Sequence, residues 1–199
     1  MKIHSLLPLV LLFAATTAAR AGIVYSGIRD VPIPVNFTGV YFRLDTGLTS
    51  LTAPSDYNTA PWLNPFFGGT GIGNGALLRP LITGADQILN LAAGAPIGST
   101  GNFTAGASGS STHVGIGAGQ FVLDRPGYIG VKFRSTPTGL DYYGWVNVEL
   151  HNSTPGRIIS WAYNDVPGAA LAAGAIPEPG TACFGLGLIL AGLSRRARR

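Results

Sequence analysis

Along GYIGVKFRSTPTGLDYYGWVNVEL, residues 127–150, side chains alternate with a period of two, a spacing that suits a strand and that a helix cannot present as one face. Ile129, Val131 and Phe133 alternate with Gly130, Lys132 and Arg134; after a turn-rich loop, Val146, Val148 and Leu150 alternate with Trp145, Asn147 and Glu149. The pattern predicts an antiparallel hairpin with one buried and one wetter face. A third strand is expected at RIISWAY, residues 157–163, after the HNSTPG turn. Earlier candidates are IVYSG at 23–27, GVYFRLD at 39–45, QILNL at 87–91 and QFVLD at 120–124. No stretch of this middle region keeps apolar residues at helical spacing for about three turns, and the density of Gly and Pro punctuates it into short runs. Seven or eight short strands favour an all-β chain, an antiparallel β-sandwich or jelly roll, over a barrel or a mixed fold.

The first residues, MKIHSLLPLVLLFAATTAARAG, set a lysine, an apolar run and small residues in the order of a secretory signal peptide, with cleavage expected after Ala21. The mature chain then starts at Gly22, and its single cysteine, Cys183, lies in the tail, so packing without disulfides has to hold the exported domain. Residues 22–176 carry seven Lys and Arg against eight Asp and Glu, a net of −1. Most of the chain's basicity belongs to Arg195, Arg196, Arg198 and Arg199, so the domain lacks the basic footprint of a nucleic-acid partner.

Catalytic and binding patterns are sparse. His113 and His151 are the histidines that remain after signal removal, and neither stands in an HExxH, CxxC or GxSxG spacing. No cofactor or metal site is expected, and the chain does not read as an enzyme. Alternate positions place Glu149 and His151 on one strand face with Asn147, where a carboxylate beside an imidazole is able to bind an ion or move a proton. The ordinary reading of these residues is the polar face of a half-buried sheet. Asp124 and Asp141 form a conceivable glycosidase pair whose separation sequence cannot set. Residues 58–75, NTAPWLNPFFGGTGIGNG, place Trp62, Phe66 and Phe67 among prolines and glycines. They read either as an aromatic platform for sugar rings or as the cap on one end of the core. GTGIGNG at 69–75 lacks the lysine and the helix of a phosphate loop and reads as a flexible turn; residues 92–119 are rich in Gly, Ala, Ser and Thr.

The tail, IPEPGTACFGLGLILAGLSRRARR, is too short for a comfortable span. Thr181 to Leu193 reaches about 20 Å as a helix, against about 30 Å of hydrocarbon. Terminal arginines exclude a core helix and would stay cytoplasmic, which leaves a transient anchor or a sorting signal. Pro177-Glu178-Pro179, a short Gly/Leu-rich apolar segment and the cluster Arg195, Arg196, Arg198 and Arg199 together resemble the PEP-CTERM sorting signal of exported bacterial proteins. Upstream, GYIGVKF, YYGWVNVEL and RIISWAYNDVPGAALAAGAIPEP resemble the β-rich domain that often precedes this signal. The resemblance implies an exosortase as processing partner, with Pro177, Glu178 and Pro179 as the recognition site and a transient hold on the inner membrane through a short C-terminal hydrophobic helix. It also implies delivery to the surface or extracellular polysaccharide of a Gram-negative-type cell. The organisation expected is a signal peptide at 1–21, a β-sandwich domain at 22–175 and a sorting signal at 176–199, in a non-catalytic surface or biofilm-matrix protein. Competing classes are a carbohydrate-binding module using Trp62, Phe66 and Phe67, and a hydrolase in which Asp124, Asp141 or Glu149 converge. Asn36, Asn102 and Asn152 match the Asn-x-Ser/Thr glycosylation pattern.

Overall fold

In a computed structural model that describes residues 22–83, 87–106, 108–110 and 113–177, the alternation of residues 127–150 is realised as the longest hairpin of an all-β, antiparallel structure. The chain opens with β1 (Ile23–Tyr25) and β2 (Val31–Ile33), followed by β3 (Tyr41–Arg43), β4 (Thr49–Ser50), β5 (Trp62–Phe66) and β6 (Gly71–Asn74). Next come β7 (Leu78–Pro80), β8 (Asn90–Leu91), β9 (Pro96–Ile97) and β10 (Ser108–Ser110). Three nine-residue strands, β11 (Pro126–Arg134), β12 (Asp141–Glu149) and β13 (Gly156–Asn164), precede β14 (Leu171–Ala172). Among the described residues there is no helix; the helix expected over 181–193 lies outside them.

β11 and β12 pair along their whole length, from Pro126 opposite Glu149 to Arg134 opposite Asp141. β12 pairs with β13 through a register shift at Asn147/Val148, where Ile159 is the extra residue. Its carbonyl is not lost to the ladder: it accepts from the N–H groups of Arg29 and Asp30 at 2.8 and 3.3 Å. β1 and β2 cover successive lengths of the outer edge of β13, as β7 and β8 do for β11. A second sheet runs β10-β6-β5-β3-β4, and β9 pairs with β14.

The two larger sheets enclose one core in a sandwich-like arrangement. Phe42, Leu63 and Ile72 from the second sheet, with Leu44 just after β3, meet Ile129, Val131, Phe133, Val146, Val148 and Ile158, all buried. Phe42 sets its ring edge-on to Trp161 with centroids 4.5 Å apart.

The wetter face expected on the long hairpin is polar at its two ends, with Lys132, Arg134 and Asp141 at one and Asn147 and Glu149 at the other, but its middle is a second core. Tyr143, Trp145 and Ala162 are buried there with Leu91, Ile97, Leu171 and Ala173. The reason lies in side-chain chemistry: the alternate set on β12 holds Tyr143 and Trp145, too apolar to leave in water, and β9 and β14 fold over them. Trp145 satisfies its indole by donating to the Ala175 carbonyl at 3.1 Å. Two further expectations fail. QFVLD forms no strand, only an isolated bridge of Phe121 to Val114. GTGIGNG is no flexible turn: Gly71–Asn74 is β6, buried at every position, with the Phe66 ring lying where a Gly71 side chain would stand. The described residues hold fourteen strands rather than seven or eight, because Gly and Pro cut the outer segments into runs of two to five.

Trp145→Ala is expected to cost as much as Phe42→Ala, about 3–5 kcal/mol each. Urea unfolding of both variants checks this; a Trp145→Ala change within about 0.5 kcal/mol, the size of a surface substitution, would return that face to solvent.

Candidate functional site

Three non-glycine residues among those described hold positive φ: Asp30 at 48°, Phe67 at 50° and Asp124 at 61°. Such backbone is tolerated by aspartate and costly for a bulky side chain, and it clusters where function over-determines geometry. All three neighbour the end of β12. The Asp124 N–H donates to the Leu150 carbonyl at 2.9 Å, Asp30 faces Arg157, and Phe67 begins a loop that meets His151.

Glu149 and His151 point the same way, as their spacing predicts, and between them they organise a chain of charge. His151 Nδ1 lies 2.6 Å from Asp124 Oδ1, and its Nε2 lies 3.2 Å from Glu149 Oε1. The other Glu149 oxygen accepts from Arg157 Nη2 at 2.7 Å, and Arg157 Nη1 reaches Asp30 Oδ1 at 3.2 Å. The hydrogen bond from Arg157, the largest influence, holds the Glu149 carboxyl below the usual carboxylate range. Each imidazole nitrogen thus faces a carboxylate. Glu149 stands where a nucleophile's hydroxyl or thiol would complete a triad, and the contacts tie Asp124 and Asp30 to the end of β12.

The 67–69 loop is held from both sides. The Phe67 and Gly68 N–H groups donate to the carbonyls of Asn36 and Pro34 at 2.9 and 3.0 Å, and the His151 N–H donates to the Gly68 carbonyl at 3.0 Å. Gly68 has φ +66° and a side chain there would strike the His151 carbonyl, so only glycine fits. Phe67 is left 42% exposed, 5.4 Å from the Phe66 ring, and both pack on Phe37 at 5.9 and 5.7 Å. Phe37 is 78% exposed.

Structure therefore regroups the expected aromatics. Phe66 and Phe67 stay together, whereas Trp62 is buried and donates its indole N–H to Asp56 at 3.0 Å. Phe37 was hidden in Asn36-Phe37-Thr38, which reads by sequence as a glycosylation triplet; the Asn36 side chain in fact accepts from the Gly39 N–H at 2.7 Å. His113, fully buried, reaches the same loop through Nε2 and the Gly69 carbonyl at 3.1 Å, while its Nδ1 has no hydrogen-bond partner. Burial pushes the His113 pKa down.

Asp141 stands at the other end of β12, about 27 Å along the strand from Glu149, so Asp124 and Asp141 do not form a pair. It is held by Arg134 Nε at 2.9 Å and Lys132 Nζ at 3.1 Å, and with Arg79 these residues line a pocket of about 190 Å³. A neighbouring pocket of about 260 Å³ is lined by Asp45, Asp165, Tyr142 and Tyr163. Pro177 is exposed; Glu178, Pro179, Cys183 and the terminal arginines lie outside the described residues.

No protein-family model, no curated protein and no solved structure matches this chain.

Because burial lowers its pKa, neutral His113 lets the unfolded chain take up a proton first. Stability is intact above the ordinary value of 6.5 and falls as pH drops below it, by up to about 1.4 kcal/mol per pH unit, until the folded protein protonates too. Urea midpoints across this range are expected to lose part of that slope in His113→Gln; identical slopes would show that His113 is not its source.

Proposed function

We propose that this chain is an exported, non-catalytic surface protein handled by an exosortase through its C-terminal signal. The observation that supports this reading is how the residues beside the two expected cuts are held. Gly22, the first residue after the expected signal cleavage, exchanges hydrogen bonds with Asp165: its N–H donates to Oδ1 at 2.8 Å and its carbonyl accepts from the Asp165 N–H at 2.9 Å. Cleavage after Ala21 would turn that amide into an ammonium group already facing a carboxylate. At the other end, Ala175 receives the Trp145 indole N–H, and Ile176 and Pro177 are exposed. A cut near Pro177-Glu178-Pro179 therefore spares every described core residue. In this reading the prolines keep the recognition stretch extended, residues 181–193 hold the inner membrane transiently, and Arg195, Arg196, Arg198 and Arg199 stay on the cytoplasmic side.

Intact mass of the protein recovered from its native cell tests the proposal. A mass starting at Gly22 and ending near the motif is expected, and alanines in place of Pro177-Glu178-Pro179 are expected to abolish the second cut; an uncut C-terminus would sink it.

The exposed Phe37 and Phe67, packed with the half-buried Phe66, favour a second role for the domain, contact with extracellular polysaccharide through stacking on sugar faces. Pull-down on the host's own insoluble polysaccharide checks it. Phe37→Ala with Phe67→Ala is expected to weaken binding at least about tenfold with little loss of stability, while Trp62→Phe leaves it unchanged.

A further inference from the structure

Antiparallel pairing sets Arg79 of β7 directly opposite Lys132 of β11, with Arg134 two residues further along the same face. Like charges placed directly opposite destabilise a sheet, and this domain has few cations to spare: three of the seven in residues 22–176 meet here although the net charge is −1. One carboxylate, Asp141, answers the three. It spends one oxygen on Arg134 and the other on Lys132, at 2.9 and 3.1 Å. Arg79 has no ion pair among the described residues and is exposed at the mouth of the same pocket of about 190 Å³. Two like charges face each other beside a cavity, and one of the two guanidinium groups there has no counter-ion among the described residues.

We infer that the pocket between β7, β11 and β12 binds a carboxylate group of an acidic ligand, with Arg79 as its principal contact and Lys132 and Arg134 beside it. Lys132 and Arg134 already hold one carboxylate, that of Asp141, at hydrogen-bonding distance. Arg79 brings a planar fork that matches a second carboxylate bidentately, and the incoming charge relieves the repulsion between Arg79 and Lys132. The patch is three side chains wide on a domain of net negative charge, which suits a single carboxylate and not the continuous phosphate track of a nucleic acid. This inference does not rest on the sorting signal, nor on the aromatic cluster.

Calorimetric titration of the purified protein with galacturonate, polygalacturonate, its methyl ester and inorganic phosphate tests it. Saturable binding of the free acid or of its polymer is expected, the first marking a small sugar acid as the source and the second a uronic-acid chain, with the methyl ester silent. Arg79→Ala is expected to weaken binding about tenfold or more while the melting temperature stays level or rises, since a repulsion is removed. Asp141→Asn is expected to strengthen binding by freeing Lys132 and Arg134. Equal binding by Arg79→Ala and the unaltered protein, no binding at all, or equal binding of acid and methyl ester would overturn the site. Phosphate or a single-stranded oligonucleotide binding more tightly than the uronates would overturn its assignment to carboxylates.

Discussion

The ladder of β11, β12 and β13 is apolar along one face and at the middle of the other, and most of the remaining chain is arranged to meet that demand. One face is closed by the second sheet, where Phe42 meets Trp161, and the other by β9, β14 and the segment ending at Ala175. The edges of this sheet are covered as well. β1 and β2 in turn cover β13, and β7 and β8 cover β11, in pieces short enough to leave little edge for another chain to extend. Because Trp145 uses the Ala175 carbonyl as its acceptor, the packed structure includes residues up to just short of the exposed Ile176 and Pro177.

The length of the ladder also separates its chemistry. At one end, the carboxylates of Glu149, Asp124 and Asp30 are linked through Arg157 and His151, and the positive-φ Phe67 is fastened beside them. At the other, Arg79, Lys132 and Arg134 outnumber Asp141. Carboxylates about 27 Å apart on one strand cannot share a reacting atom, so the two ends act independently. The end rich in paired charges serves geometry, since half-exposed ion pairs orient more than they stabilise. The end with an unanswered cation invites a ligand.

Much of the ladder is legible in the sequence because a period of two survives any context: Ile129, Val131, Phe133, Val146 and Val148 take the inner face that their alternation assigns them. The outer face is misread for a specific reason. Tyr143 and Trp145 sit among Asn147 and Glu149, and only the return of β9 and β14, distant in sequence, turns the middle of that face into a core. Glycine-rich GTGIGNG is misread because glycine signals freedom by itself, whereas here it makes room for Phe66. The candidate site follows the same logic. The shared direction of Glu149 and His151 is local and therefore readable, but Asp124, Arg157 and Asp30 arrive by long-range pairing, and Phe37 joins Phe66 and Phe67 through the Asn36–Phe67 backbone bond.

Local periodicity, charge counting and the order of segments at the two ends are properties of the chain itself, so the sequence alone determines an all-β domain of near-neutral charge and the expectation of processing on either side of it. Contacts between residues far apart belong to the tertiary structure. That is why it alone decided that Trp62 would be buried and Phe37 exposed, that two histidines would meet at one glycine loop, and that Arg79 would face Lys132 without a counter-charge of its own.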